Sequence, residues 1–377
     1  MELAFWLCVC WVFYAFAGYP LVVFLLARVI NRPVCKKEIF PRVTVVIAAH
    51  NEAQHIVATV NNKLAQDYPA DRLNVIVVSD ESDDGTDRLV GGLGSPRVML
   101  LRQSPRQGKT SALNLALPMA DGEVIVFADA NSLYAADAIR QLVCNFADPE
   151  VGYVSGRMVY RVAKPGSVAD GCSVYMRLEN RLRQQETRLG SIVGVDGGID
   201  AIRRELYQPM NADQLPDFVL PLLVRQQGYR VVYEPAARLI EDALTQTGAE
   251  FRMRVRVTLR ALWALSDLRS LFNPVRYGLF SWQLLSHKLL RYTAFLPLIA
   301  MLPLNVLLTG EGLVYQAALV GQAVFYMLAV TAVGRLSVGA WRALPHYFLL
   351  LNAASAKAMW KFLRRQKQVI WQPRVGA

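Results

Sequence analysis

Histidine, cysteine and charge are all scarce in this chain, and each shortage removes a class of function. The four histidines (His50, His55, His287, His346) have no zinc-ligand spacing, so none is read as a metal ligand. The five cysteines (Cys8, Cys10, Cys35, Cys144, Cys172) are odd in number and scattered, which implies no disulfide framework. Charged residues make up 19% of the chain against 54% hydrophobic, an apolar balance for a wholly soluble protein. No internal repeat or low-complexity segment is present. The formal charge is +11, yet the basic residues form no recognition helix or RNA-binding motif, so no nucleic-acid partner is expected.

The basic residues gather beside apolar segments instead: Arg28, Arg32, Lys36 and Lys37, then Arg252 to Arg260, then Lys357 to Lys367. That is the pattern of a membrane protein with its bulk on the cytoplasmic, anionic side. Leu3 to Leu26 is one uncharged apolar stretch, long enough to cross a bilayer at about 1.5 Å per residue. The positive residues follow it and no small-residue cleavage site closes it, so it is read as an anchor (residues 1–30) rather than a removed leader. Two further spans are expected over Leu289–Leu308 and Leu313–Val333, within a membrane region covering 288–377. Leu344–Ala356 is a mainly apolar stretch of only thirteen residues before a basic tail, which reads as an interfacial or re-entrant segment. Residues 249–287 interleave Arg252, Arg254, Arg256 and Arg260 with Phe251, Leu259, Leu262 and Trp263, as in a helix lying in the headgroup plane.

Between these lies a soluble domain, 38–248. Val43–Ala49, Leu73–Ser79, Val98–Leu101 and Val124–Phe127 read as buried strands. Helical patterns fall between them, near 52–66, 84–90, 109–116 and 136–146. Continuous apolar strands alternating with helices imply an α/β fold with a mostly parallel sheet covered on both faces.

Three acidic stations stand out within that domain. Asp80 ends Val75-Ile-Val-Val-Ser-Asp80, Asp129 ends Val124-Ile-Val-Phe-Ala-Asp129, and Asp217 follows a proline in Leu215-Pro-Asp217-Phe. A carboxylate just past a buried parallel strand sits at the carboxyl edge of the sheet, where such folds bind ligands. Asp80 is read as a contact to a base or ribose. Asp129 supplies one hard oxygen for Mg²⁺ or Mn²⁺, and Asn131 adds a neutral amide oxygen, so a substrate diphosphate must complete the shell. Asp217 is read either as a general base or as a helix cap. Upstream, Ala48, Asn51 and Glu52 close the first strand, where backbone groups meet a base edge and Glu52 reaches a ribose; an ordinary cap is the alternative. Arg106-Gln-Gly-Lys-Thr-Ser111 is not a phosphate-binding P-loop, because Gln103 replaces its first glycine, but Lys109 at a helix start still suits a nucleotide. Arg254 and Arg256 either meet a diphosphate or meet lipid headgroups.

Taken in order, these motifs resemble the membrane-bound glycosyltransferases of family 2, the group of bacterial exopolysaccharide synthases, over about Pro41 to Arg260. Ala48-Ala-His-Asn-Glu52, Asp80, Gly108-Lys-Thr-Ser-Ala-Leu-Asn114, Asp129-Ala-Asn131, Gly197-Gly-Ile-Asp-Ala-Ile-Arg-Arg204, Asp217 and Gly228-Tyr-Arg-Val-Val-Tyr-Glu-Pro235 follow the family's order. The resemblance implies a GT-A fold (a Rossmann-like nucleotide-diphospho-sugar transferase domain) with transmembrane helices at both ends. It also implies that Asp129-Ala-Asn131 holds the metal, that Asp217 is the catalytic base, and that 197–204 faces the acceptor. Two departures stand out: the metal motif ends in Asn131, and the QxxRW motif of processive members reads Met253-Arg-Val-Arg256-Val257. Arg256 is kept, while the tryptophan that holds a growing polymer is not.

The expectation is therefore an inverting glycosyltransferase of the bacterial cytoplasmic membrane, multi-pass, with its catalytic domain inside. It would use a nucleotide-sugar (a UDP-sugar) with Mg²⁺ or Mn²⁺. The acceptor would be a polysaccharide, with an export or polymerisation partner subunit, or a polyprenyl-linked or glycolipid acceptor taking a single sugar. An inactive nucleotide sensor is the remaining alternative.

Overall fold

The structure, a computed structural model, describes residues 1–161, 167–242, 247–331 and 340–368. The last residues of the span expected over Leu313–Val333, and of the region expected to run to 377, lie outside the described residues.

Eight strands form one sheet: β1 (Val43–Ala49), β2 (Leu73–Asp80), β3 (Val98–Gln103), β4 (Val124–Asp129), β5 (Leu133–Tyr134), β6 (Val151–Arg161), β7 (Ile199–Arg203) and β8 (Arg230–Asp242). Their order is β3-β2-β1-β4-β7-β6-β8-β5. β3, β2, β1 and β4 run parallel, while β7 is antiparallel to both β4 and β6. The four strands read from sequence are all present, each ending within two residues of expectation. Apart from Thr44 in β1 and the terminal Asp129 in β4, both strands are apolar and buried on both faces, which is why the sequence shows continuous runs rather than alternation. The chain leaves β1 toward β2 and β3, then returns to β4 on the other side of β1. This reversal opens a crevice at the carboxyl ends of β1 and β4, where Ala48 and Asp129 are paired neighbours.

The principal helices are α1 (Glu2–Ile30), α2 (Ile56–Leu64), α3 (Lys109–Ala116), α4 (Ser167–Leu189), α5 (Pro216–Gln226), α6 (Thr247–Asp267), α7 (Leu279–Tyr292), α8 (Phe295–Glu311), α9 (Leu313–Thr331) and α10 (Ala340–Leu363). α2 joins one core face of the sheet with Ile56 and Val60. α3, α5, α6 and α7 cover the other, through Ala112, Leu113, Phe218, Leu222, Ala261, Leu265, Phe280 and Leu284.

By length and apolarity α1 and α9 can each cross a membrane. The span expected over Leu289–Leu308 is different: α7 and α8 meet at a bend of 56°. The pair together is long and apolar enough for one broken span or a re-entrant segment, and the expected span starts inside α7, where Lys288 and Arg291 line the cavity described below. The Leu344–Ala356 stretch is not a re-entrant loop. It lies inside one continuous helix, α10, whose Ala354 and Ala358 pack against Val255, Leu259 and Leu262 of α6. Its apolar residues serve a helix–helix seam, so their number is not a measure of bilayer thickness.

Candidate active site

The loops after β1 and β2 are fastened to each other. Asn51 adopts a left-handed backbone (φ +55°), and its side chain exchanges hydrogen bonds with Asp83, donating at 2.8 Å and accepting at 3.0 Å. Asp84 accepts from the Ala53 and Thr86 amides, and Thr86 Oγ1 accepts from the Glu52 amide. Asn51 and Glu52 therefore cap no helix; the next one begins at Ile56. Glu52 is buried, and its carboxyl is pushed up to about 7 by that burial, then by the Asp129 and Asp84 charges.

Asp80 is 2% exposed and engaged on both oxygens. It accepts from Gln103 Nε2 at 2.5 Å and from the Gln107 and Gly108 amides at 2.9 Å each. Arg106 Nε lies 3.8 Å away. Its immediate work is to fold residues 103–108 over the edge of the sheet, which sets the start of α3 and so the place of Lys109.

Lys109 Nζ lies 2.6 Å from Asp129 Oδ1 and 3.6 Å from Asp217 Oδ1. Burial pulls this ammonium down, but the two carboxylates outweigh it and hold its pKa above the ordinary lysine value. Asp217 stands in the first turn of α5, behind Pro216. The N-cap position belongs to Leu215, so a simple capping role is excluded. Two glycines with positive φ, Gly197 (+78°) and Gly198 (+76°), make room for the carboxylates. A Cβ on Gly197 would overlap Asp217 Oδ2, and one on Gly198 would stand 3.0 Å from Asp129 Oδ2. Sequence links this glycine pair to the acceptor side only by resemblance; its steric service to the two acids shows only in three dimensions. Below them Asp200 is 1% exposed, and burial followed by the Asp217 charge raises its carboxyl well above the carboxylate range.

Helix α6 supplies the facing cations. Arg256 lines the cavity; burial lowers its guanidinium, while Asp217 and Asp129 draw it back up. Arg260 donates to the Asp213, Ala212 and Gln214 carbonyls at 3.0, 3.1 and 2.8 Å, holding the loop that leads to Asp217. Arg254 pairs with Glu250 at 2.8 Å and donates to Tyr347 Oη at 2.6 Å. A headgroup-facing basic stripe, the expectation for 249–287, is thus not how these three arginines are used. Alternation of Arg with apolar residues left that choice open, because it fixes a helix and not its neighbours.

These residues line one side of a cavity of about 290 Å³. The other side has no counterpart among the sequence expectations. His287 bonds Glu179 at 2.9 Å and Glu186 at 2.7 Å, Arg291 reaches Glu179 at 2.5 Å, and Tyr19 of α1 donates to Glu186 at 2.5 Å. Arg183 pairs with Asp196. Two π-helical turns, Tyr14–Gly18 in α1 and Leu285–Leu289 in α7, adjoin here, with Tyr14 Oη 2.9 Å from Ser286 Oγ. Such turns often mark functional sites.

Among the described residues no group of three His, Cys, Asp or Glu side chains could hold a metal ion alone. The set at hand is oxygen-only, with Asp129 and Asn131 on the cavity wall and Lys109 sharing the Asp129 carboxylate. It suits Mg²⁺ or Mn²⁺ completed by phosphate oxygens and suits no softer ion. Ala48, Glu52, Lys109, Asp129, Asn131, Asp217 and Arg256 all line the cavity, whereas Asn51 and Asp80 stand behind it as loop fasteners.

Residues 44–210 match the family model described as glycosyl transferase family 2. Over 169 residues the chain is 31% identical to a beta-monoglucosyldiacylglycerol synthase of Trichormus variabilis, covering 44% of this chain and 36% of that protein. Over 225 residues it is 24% identical to a poly-beta-1,6-N-acetyl-D-glucosamine synthase of Staphylococcus aureus, covering 57% and 53%. The matched region thus spans about a third to a half of these relatives. Among solved structures, a mannosyltransferase from Pyrobaculum calidifontis in complex with GDP-Man and Mn²⁺ superposes with a TM-score of 0.73 at 25% identity. That likeness covers 95% of this chain and 99% of the other.

Proposed function

We propose that the protein is a membrane-bound, inverting glycosyltransferase of the bacterial cytoplasmic membrane, a reading supported by the family 2 match over residues 44–210 and by the likeness to the mannosyltransferase structure. It moves one sugar from a nucleotide-diphospho-sugar to an acceptor hydroxyl. The observation that carries this reading is the pairing of Asp129 and Asp217 over Gly197 and Gly198, bridged by Lys109 and faced by Arg256. Asp217 takes the proton of the acceptor hydroxyl. The oxygen attacks the anomeric carbon as the bond to the diphosphate breaks, and the nucleoside diphosphate leaves from the opposite face. Lys109 and Arg256 meet the charge that develops on that leaving group, a preorganised electrostatic role. A divalent ion held by Asp129, Asn131 and the diphosphate would add Lewis-acid stabilisation there.

The nucleoside lies toward Ala48, Glu52 and the loop fastened by Asn51 and Asp80. A UDP-sugar is the donor the sequence suggests, and the superposable mannosyltransferase holds GDP-Man, so both nucleotides belong in the test. Arg28 in the last turn of α1, and Arg32, Lys36 and Lys37 after it, support a cytoplasmic catalytic domain. Purified protein is incubated with radiolabelled UDP- and GDP-sugars and Mn²⁺, with and without acceptors. Sugar release or transfer that depends on Asp217 supports the reading. No turnover of any donor by the wild type overturns it and favours a nucleotide sensor.

A further inference from the structure

Beside the cavity lies a second space that donor chemistry leaves unused. An apolar groove of about 370 Å³ lies among α1, α8, α9 and α10, lined by Val12, Met301, Gly321, Phe325, Leu344 and Phe348. It is open to the outer surface of the helices. Leu344 is 40% exposed, and nothing stands within 4 Å of where a Cβ on Gly321 would lie. Groove and cavity adjoin through two rings: Phe16 lines the cavity, Phe348 lines the groove, and they meet edge-to-face at 4.9 Å. Helix α10 runs through both. Leu344, Pro345 and Phe348 face the groove, and Leu351, Asn352 and Ser355 face the cavity, a path of roughly 16 Å at 1.5 Å per residue.

Two polar groups on the cavity wall lack partners. Asn352 is 6% exposed; its Nδ2 donates to the Phe348 carbonyl, and its Oδ1 is buried without a hydrogen bond. Lys288 enters beside Gly194, where a Cβ would overlap its Nζ, and lies 5.8 Å from the ring of Phe218, the residue after Asp217. Among the described residues it makes no hydrogen bond or ion pair, whereas Arg183, Arg254 and Arg291 nearby are each neutralised. Glu179 and Glu186 attract it at longer range, but both already bond His287, so a ligand that brings negative charge within hydrogen-bond reach of Lys288 completes its pairing.

We propose that this path binds the acceptor as a single membrane lipid bearing a phosphate. Its tail lies in the groove, its phosphate passes Phe16 to accept from Lys288, and Asn352 Oδ1 accepts from a headgroup hydroxyl. Presentation of the acceptor oxygen to Asp217 rests on the glycosyl-transfer reading; the lipid site itself does not. A growing polymer needs no apolar groove open to lipid, and a free sugar phosphate would leave it unfilled.

The test measures equilibrium binding of radiolabelled phosphatidic acid and of diacylglycerol to the full-length protein in detergent. The wild type binds phosphatidic acid about tenfold more tightly than diacylglycerol. Gly321→Phe, which fills the groove, weakens both at least tenfold, and Lys288→Gln erases the preference for the phosphate. Val320→Phe places the same ring one residue earlier, at a 64% exposed position outside the groove, and binds as the wild type does. Undiminished binding in Gly321→Phe, or no lipid binding by a wild type that turns over donor, overturns the proposal and leaves glycosyl transfer standing. Groove-dependent lipid binding by a wild type that turns over no donor supports the lipid site and overturns the transferase reading.

Discussion

On the sheet side of the cavity, Asp129 and Asp217 are delivered by the end of a strand and the first turn of a helix. On the membrane side, Glu179, Glu186, His287 and Arg291 meet only because α4, α7 and α1 dock against one another. The first arrangement is local and tolerates open solvent. The second is buried, so its charges must be paired to exist at all. Substitutions on the two sides should therefore fail differently: chemistry without unfolding on the sheet side, unfolding before chemistry on the membrane side.

The largest effect should be Asp217→Asn, which keeps the shape and removes the base. Turnover is expected to fall about 10³-fold or more, near 4 kcal/mol of barrier, with nucleotide affinity changed by less than about threefold. Transfer assays and calorimetry of nucleoside diphosphate binding check it. A mutant that still transfers at a tenth of the wild-type rate removes Asp217 from the role. Asp129→Ala, its neighbour, should instead lose the Mn²⁺-dependent part of donor binding, read in the same calorimeter with and without EDTA.

Next comes the membrane-side wall. Glu179→Gln leaves His287 and Arg291 facing a neutral amide in a buried place, and a loss of about 3 kcal/mol in stability is expected. The melting temperature of purified protein reports it. An unchanged melting temperature together with lost activity would reverse the contrast between the two walls.

Gly197→Ala sharpens the comparison from the sheet side. The φ of +78° and the overlap with Asp217 Oδ2 predict displacement of that carboxylate, and activity about 10²-fold lower with circular dichroism unchanged. Gly190 has positive φ as well, at +139°, yet its Cβ would meet nothing closer than Arg32 at 3.8 Å, so the same change there should spare the chemistry.

The same contrast decides how far sequence can reach. The runs ending at Asp80 and Asp129 fix strand, direction and edge at once, because a parallel strand buried on both faces leaves few other readings. Asp217 and Lys109 are likewise visible, through a proline and a helix start. Asp80 reads from sequence as a nucleoside contact, whereas its carboxylate holds the Gln107 and Gly108 amides, a service that depends on a loop returning from β3. Arg260 and the Glu179–His287–Arg291 group carry no local signal. Their partners lie 46 or more residues away in the chain, and a spacing rule has nothing to act on at that range. The bend between α7 and α8 is hidden for a related reason: hydropathy is averaged along the chain and carries no record of a 56° change in helix direction.

The smallest effect concerns Glu52, where sheet-side chemistry and stability meet. Its folded pKa is raised to about 7 from an ordinary 4.5, first by burial and then by Asp129 and Asp84. Between these values the folded protein keeps a proton that the unfolded chain has released. Stability from this group is therefore full below about pH 4.5 and is lost as the pH rises through 7. Some solvent reaches the site, so the loss is expected at about 1–2 kcal/mol rather than the full linkage value. Glu52→Gln should remove it, flattening the fall in stability between pH 5 and 7.5 when unfolding is followed by urea titration in EDTA. The pH slope should persist in Glu179→Gln, because burial and charge around Glu52 come from the sheet edge and not from the membrane-side wall. Equal flattening in both mutants would mean that the two walls titrate as one unit.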